Sequence, residues 1–333
     1  MIVLDADVLG RQRTGDETYV TNLLRELPRV APDLSFAAVT RRPDLVPAGV
    51  EAIGLPARSQ EFRMAWSLPR LLRRLRPAVA HFQHALPIGY GGRSVLTVHD
   101  LSFERDPRLM GPLDRLTFRV VVPRSVRRAD HVLVVSERTR HDVLELYGVP
   151  ATKVTVTRNG VDPAFSPGGA REPYLLFVGA IQARKDPLAA LDAADELGLP
   201  LVVAGPEKDQ AIARAMRERG ADLRGYVEKD ELARLYRSAA ALVFPSRYEG
   251  FGLPILEAMA CGTPVVLSGD EAMREVAGDA AVYARGGELA AAVRHALAES
   301  AHFEAAGIAR AALFSWEATA RQTAEVYREL IAT

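Results

Sequence analysis

Phe244-Pro-Ser-Arg-Tyr-Glu249-Gly-Phe-Gly252-Leu-Pro-Ile-Leu-Glu257-Ala-Met-Ala-Cys261-Gly-Thr-Pro264 sets two carboxylates eight positions apart, one on each side of a Gly-Phe-Gly-Leu-Pro turn. The apolar run Ala240 to Phe244 just before it reads as a buried parallel strand. Pro254 reads as the first residue of a helix, where its missing N–H costs nothing. Glu249 is therefore expected on a loop at the strand's carboxyl end, and Glu257 about one turn into the helix. Unpaired amides at the turn and helix start point to where an anion can sit. The expected arrangement is a phosphate cradle flanked by two carboxylates that can bind hydroxyls, the parts of a nucleotide-sugar site.

Outward from this stretch, strand-like and helix-like segments alternate from end to end, which argues for an α/β protein with parallel sheets. Strands are expected at Ile2–Asp5, Phe36–Thr40, Val79–His84, Val95–Asp100 and Val132–Ser136, with helices at Thr18–Val30, Phe62–Arg76, Pro112–Arg128 and Glu137–Tyr147. The second half repeats the alternation, with strands at Tyr174–Val178, Leu201–Ala204, Ala241–Phe244, Val265–Leu267 and Ala281–Tyr283. The polar, Pro- and Gly-rich stretch from Arg158 to Gly169 reads as the boundary. The expectation is two doubly wound, Rossmann-like domains, residues 1–165 and 170–315, facing across a cleft at the carboxyl ends of their strands. The amphipathic stretch Trp316 to Leu330 reads as a closing helix within residues 316–333.

Composition fits this plan. A chain of 333 residues suits two domains of ordinary size, and 48% hydrophobic with 25% charged residues is a globular balance. The single cysteine, Cys261, excludes an internal disulfide and reads as a small buried residue in a reducing compartment. Met1 to Asp5 is a short apolar run with no basic segment before it, interrupted by Asp5 and Asp7, so no secretory leader is expected. No apolar segment is long enough to span a bilayer. The zero net charge conceals an asymmetry: residues 1–165 hold 24 Lys+Arg against 18 Asp+Glu, and the remainder of the 42 and 42 reverses those numbers. A basic first half favours an anionic acceptor or membrane surface, or is a variation in solvated surface.

Glu249-x7-Glu257, with a dozen agreeing neighbours through the Ala-Met-Ala-Cys-Gly-Thr-Pro264 tail, resembles the signature of family 4 retaining glycosyltransferases of the GT-B fold. The resemblance is strong from Tyr174 to Val266 and looser in the first half. It implies a donor nucleotide diphosphate sugar, an acceptor hydroxyl on a glycan or lipid-linked molecule, no metal and no other cofactor. It also implies that the last helix crosses back onto the N-terminal domain. The expected setting is cytoplasmic polysaccharide synthesis, with peripheral contact at the inner membrane face through the N-terminal domain and no nucleic-acid partner.

Breaking a sugar–phosphate bond develops negative charge on the departing diphosphate, which the enzyme must neutralise. Arg184 and Lys185, in Gly179-Ala-Ile-Gln-Ala-Arg184-Lys185 before a helix, are the pair that the resemblance assigns to that diphosphate. An arginine can grip two phosphate oxygens and a lysine acts as a mobile point charge. Many relatives carry a further Arg after the Gly, where this chain has Ala180. Glu257 resembles the ribose-binding glutamate, and Glu249 the residue that orients the transferred sugar. Phe251, Gly252 and Leu253 would offer backbone amides to sugar or phosphate. Tyr226 and Val227, at a strand end after Gly225, stand where the family holds the base. His99, ending Ser94-Val-Leu-Thr-Val-His99-Asp100, resembles the histidine that contacts the donor sugar from the other side of the cleft. Read without the family, these are a solvated basic pair, helix-start carboxylates and a structural histidine. His81 and His84 end another strand and read as acceptor-side.

The loosest match is Arg13-Thr-Gly15-Asp-Glu-Thr-Tyr19. Relatives have a Gly-rich turn there that approaches the donor phosphate, so Gly15 is carried over. Asp16 and Glu17, however, would repel a diphosphate unless they point away or meet the acceptor. Asp5-Ala-Asp7 invites a metal reading, but it ends the first strand and the Arg184/Lys185 pair already supplies positive charge. No Gly-x-Gly-x-x-Gly follows a strand, which argues against NAD. Leu68-Pro-Arg-Leu-Leu-Arg-Arg-Leu-Arg76 reads as a surface helix with leucines toward the core. The sequence is thus expected to encode a retaining hexosyltransferase with a lean toward GDP-mannose. The alternatives are a GT-B epimerase or phosphorylase, or a non-catalytic nucleotide-sugar-binding protein.

Overall fold

The structure is a computed structural model that describes residues 1–11, 14–57, 59–105, 112–284 and 288–333, with backbone alone at 14 and 112–117. Arg13 of the Gly15 loop lies outside the described residues. The chain divides into two compact units, Met1–Gly160 with Trp316–Thr333, and Val161–Ser315.

The first unit is built on seven parallel strands: β1 (Ile2–Asp5), β2 (Phe36–Thr40), β3 (Glu51–Gly54), β4 (Val79–Gln83), β5 (Ser94–Val98), β6 (His131–Val134) and β7 (Val154–Val156). Their order is β3-β2-β1-β4-β5-β6-β7. The inner strands are short runs of apolar residues buried on both faces, the pattern that a parallel sheet covered by helices requires. β3 and β7 were not among the expected strands. Both lie at sheet edges, where pairing on one side alone relaxes the demand for apolar residues, and β3 is largely exposed.

The expected helix Phe62–Arg76 is instead an α-turn at Gln60–Phe62, a π-helical segment at Arg63–Ser67 and an α-helix at Leu68–Leu75. Arg76 ends it in the left-handed region, with φ 47°. The wide π turn coincides with the burial of Arg63, which is 0% exposed. Its guanidinium donates to both oxygens of Asp5, at 2.6 and 3.0 Å, and lies 3.4 Å from Asp7. Arg41 and Arg11 also pair with Asp7. The two aspartates that invited a metal reading are thus committed to three arginines. The final helix, Trp316–Ala332, packs on the helix Thr14–Val30 through Tyr19 and Trp316, and Arg328 pairs with Asp33 at 2.6 Å.

The second unit has six parallel strands: β8 (Leu175–Val178), β9 (Leu201–Ala204), β10 (Asp222–Gly225), β11 (Ala241–Phe244), β12 (Val265–Leu267) and β13 (Val282–Tyr283). Their order is β10-β9-β8-β11-β12-β13. In both sheets the chain reverses direction across the sheet once, between β1 and β4 and between β8 and β11. Open α/β sheets form a ligand crevice outside the carboxyl ends of strands at such a switch point. Two glycines near these strand ends allow close approaches that a side chain would block. A Cβ on Gly205 (φ +151°) would lie 2.1 Å from the Gly179 carbonyl oxygen, and one on Gly252 (φ +107°) 2.8 Å from Ile255 Cδ1.

Among the described residues, no helix is long and apolar enough to cross a membrane.

Candidate active site

At the switch point of the second unit, Arg184 and Lys185 lie on a 3-10 turn, Ala183–Lys185, after β8, and Glu249 lies on the loop after β11. The two loops are tied together at several points. Arg247 N donates to Arg184 O at 2.9 Å, the Arg184 guanidinium donates to Tyr248 O, and Arg247 pairs with Asp186 at 2.8 Å. Lys185 Nζ donates to Glu249 Oε1 at 2.5 Å, with Arg184 3.6 Å from the same oxygen. Glu249 is 7% exposed, so its carboxylate is held out of water by two cations. The Lys185 ammonium also sits 4.9 Å from the centre of the Phe244 ring, the last residue of β11. Residues 64 and 65 apart in sequence therefore share one charged cluster.

The helix after this loop begins at Leu253, one residue earlier than expected, with Pro254 second. In its first turn Pro254 has no N–H and the Ile255 N–H donates to Gly252 O at 3.0 Å. Phe251 is buried edge-on against Phe314, with ring centroids 6.0 Å apart, so what it can offer a ligand is main chain. Glu257, four residues into the helix, does not share the cation pair. Its Oε2 accepts from Tyr236 OH at 2.8 Å. Burial pushes its carboxyl up to about 7, against the lowering effects of the Tyr236 hydroxyl and Lys229. Lys229 Nζ pairs with Asp162 at 2.5 Å. Tyr226 and Val227 follow β10, Tyr226 being 43% exposed. Cys261 is buried, and burial pushes its thiol up to about 11, out of reach of thiolate chemistry near neutrality.

In the first unit, His99 follows β5 and is mostly buried. Its Nε2 is 2.8 Å from Gln83 Oε1, and its ring stands edge-on to Tyr19 at 4.8 Å. Burial pushes it down to about 4, so it is neutral at pH 7. His84, after β4, has φ 58°, a left-handed backbone uncommon outside glycine, though histidine adopts it more readily than most residues. Its ring is 5.2 Å from that of His99. Asp16 approaches both, 3.8 Å from His84 Nε2 and 4.0 Å from His99 Nε2. His81 is a core residue, held between Tyr327 OH and Thr97 Oγ1 at 2.6 Å each.

Gly15 lies within the helix Thr14–Val30 rather than on a turn. A Cβ there would meet nothing within 4 Å, so its backbone does not require glycine. Of the two acids beside it, Glu17 accepts from Gly10 N at 2.6 Å, and Asp16 faces the histidines. Sequence reasoning did not find the Tyr236 partner of Glu257 or the gathering of Asp16, His84 and His99. The one available signal was that His84 and His99 each stand just beyond the carboxyl end of a strand, whereas Asp16 lies in the first turn of the helix Thr14–Val30.

Two family models divide the chain: "Glycosyltransferase Family 4" matches residues 13–165, and "Glycosyl transferases group 1" matches residues 164–307. The chain is 33% identical over 270 residues to O-antigen chain mannosyltransferase B of Escherichia coli, covering 72% of this chain and 71% of that protein. The chain belongs to family 4 of the glycosyltransferases, with the GT-B fold. This glycosyltransferase is also 34% identical over 274 residues to a glycogen synthase of Mycobacterium tuberculosis, covering 75% of its own length and 66% of the relative's. Its fold matches that of sucrose-phosphate synthase from Thermosynechococcus elongatus with a TM-score of 0.80, at 22% identity over 99% of both chains. The fully parallel sheets and their single reversals are the parts of that fold that create the two strand-end clusters of the transferase.

Proposed function

We propose that this glycosyltransferase moves a hexose from a nucleotide diphosphate sugar to an acceptor hydroxyl, with retention at the anomeric carbon and without a metal. The observation that carries the reading is the meeting of Lys185, Arg184 and Glu249 at the β8/β11 switch point. A diphosphate needs fixed positive charge where its bond to the sugar breaks, and a sugar needs a carboxylate for its hydroxyls. Both are present within one hydrogen bond of each other. In the reaction the C1–O bond breaks toward the diphosphate, which leaves with the electron pair and is stabilised by Arg184 and Lys185. The acceptor oxygen bonds to C1 from the same face, and its proton passes to a phosphate oxygen.

Glu249 and His99 orient the sugar, Glu257 holds the ribose hydroxyls, and the amides of Phe251, Gly252 and Leu253 meet sugar or β-phosphate. Tyr226 and Val227 border the base. Gly15, in the first turn of the helix Thr14–Val30, remains a proposed donor contact through its backbone. The mannosyltransferase among the relatives supports GDP-mannose as the first donor to try. A glycan or lipid-linked acceptor is the proposed partner, with peripheral contact at the inner face of a membrane through the basic first unit.

The test is release of nucleoside diphosphate from GDP-, UDP-, ADP- and dTDP-sugars by the purified chain, with thermal shift in parallel. Expected are a raised melting point with one donor class and transfer that Glu249→Ala abolishes while its melting curve stays cooperative. Full turnover by that variant would remove the assignment. Binding with no sugar ever released would instead make the protein a nucleotide-sugar-binding module.

A further inference from the structure

We infer that Asp16, His84 and His99 form a site for a divalent transition metal at the carboxyl ends of β4 and β5. Three candidate ligand atoms, one carboxylate oxygen and two imidazole nitrogens, all lie within 4.8 Å of one another. The carboxylate bridges the rings, with one oxygen 3.8 Å from His84 Nε2 and the other 4.0 Å from His99 Nε2. His99 Nε2 donates to Gln83 Oε1 at 2.8 Å, so a metal at Nε2 displaces that bond and moves the ring proton to Nδ1. Bonds of about 2.0–2.1 Å in a tetrahedron put ligand atoms about 3.4 Å apart, so small side-chain rotations close the set. The three residues stand on separate elements: the first turn of the helix Thr14–Val30, the residue after β4 and the residue after β5. His84 keeps a left-handed backbone to take its place, the kind of local cost that clusters at binding sites.

The donor set selects the ion. Two imidazoles with a carboxylate oxygen, the fourth position left to water, suit Zn²⁺, Co²⁺ or Ni²⁺, whereas Mg²⁺ prefers oxygen alone. Binding would need each His99 and His84 Nε2 lone pair, with the ring proton on Nδ1. The metal would thereby withdraw His99 from any contact with a sugar, so the site is inhibitory rather than catalytic. It stands independently of the proposed roles of Arg184, Lys185 and Glu249, which belong to the other unit. The only other such cluster among the described residues, His141, Asp142 and Glu145, has Asp142 already paired with Arg105 and Arg138.

The experiment is Co²⁺ titration of the tag-free, chelator-stripped full chain, read by the visible absorption of tetrahedral Co²⁺, with Zn²⁺ as competitor. Expected is one ion per chain. Losing only a hydrogen-bond partner of a ligand costs about 10–100-fold in affinity, so Asp16→Asn and His84→Ala should each weaken binding at least tenfold. His141→Ala should leave it unchanged. On the wild-type chain, Zn²⁺ should shift the ring-nitrogen NMR signals of two of the seven histidines, assigned to His84 and His99 by the signals missing from His84→Ala and His99→Ala. No tetrahedral absorption, equal affinity in the Asp16 or His84 variants, or a shift confined to His141 would each overturn the site.

Discussion

A lysine ammonium 2.5 Å from a carboxylate that is 7% exposed is a costly arrangement unless each charge is met by the other. Removing Lys185 therefore affects both the proposed ligand and the protein. Charge-assisted hydrogen bonds are worth about 1.5–3 kcal/mol, so Lys185→Ala should weaken binding of free nucleoside diphosphate about 10- to 100-fold by calorimetry. Equal affinities of variant and wild type would remove Lys185 from the diphosphate site. Glu257 gives a prediction with a definite sign. Its carboxyl titrates near 4.5 when exposed, and burial pushes it up to about 7 in the folded chain. Between those values the unfolded chain loses its proton first, so folded stability falls as pH rises through the window. Glu257→Gln cannot ionise and can still accept from Tyr236 OH. Its melting point should exceed that of the wild type by several degrees at pH 8 and match it near pH 4.5. A gap that is the same at both pH values would show that the carboxyl ionises freely in the fold.

At the scale of elements, the decisive piece is the join between β11 and the helix Leu253–Ala260. The backbone turns there through Gly252 at φ +107°, which side chains rarely adopt, and any Cβ would also press on Ile255. Gly252→Ala combines both faults. It should cost about 1–3 kcal/mol and lower the melting point of the second unit by several degrees, with weaker nucleoside diphosphate binding as the helix start shifts. An unchanged melting curve would mean that the turn relaxes freely. The same join shows what element-level reading can reach. A buried apolar strand, a Gly-Pro-bearing turn and a helix leave strong local marks, and β8, β9, β11 and β12 all begin or end within a residue of where those marks put them. The edge strands β3 and β7 leave weak ones, since a strand paired on one side and wet on the other need not be apolar. The π segment at Arg63–Ser67 leaves none; it coincides with an ion pair between Arg63 and Asp5, 58 residues away.

For the whole molecule, a prediction concerns metals. The proposed transfer uses arginine and lysine for leaving-group charge, so EDTA should leave its rate unchanged at saturating donor. Complete loss that Mg²⁺ restores would overturn the metal-free reading. Micromolar Zn²⁺ should slow the same reaction if the Asp16 cluster binds it, and EDTA should reverse that.

The sequence alone determined the alternation of buried strands and helices, the glycine and proline joins, and the family, because each is written in neighbouring residues whose spacing follows helix or strand periods. Which strand lies beside which, and hence that Arg184 and Lys185 meet Glu249, was decided by the tertiary structure, since sheet order brings together loops more than sixty residues apart. The same holds for Tyr236 on Glu257 and for Asp16 between two histidines. Their partners are set by the crossing of separate elements, and no local pattern encodes such a crossing.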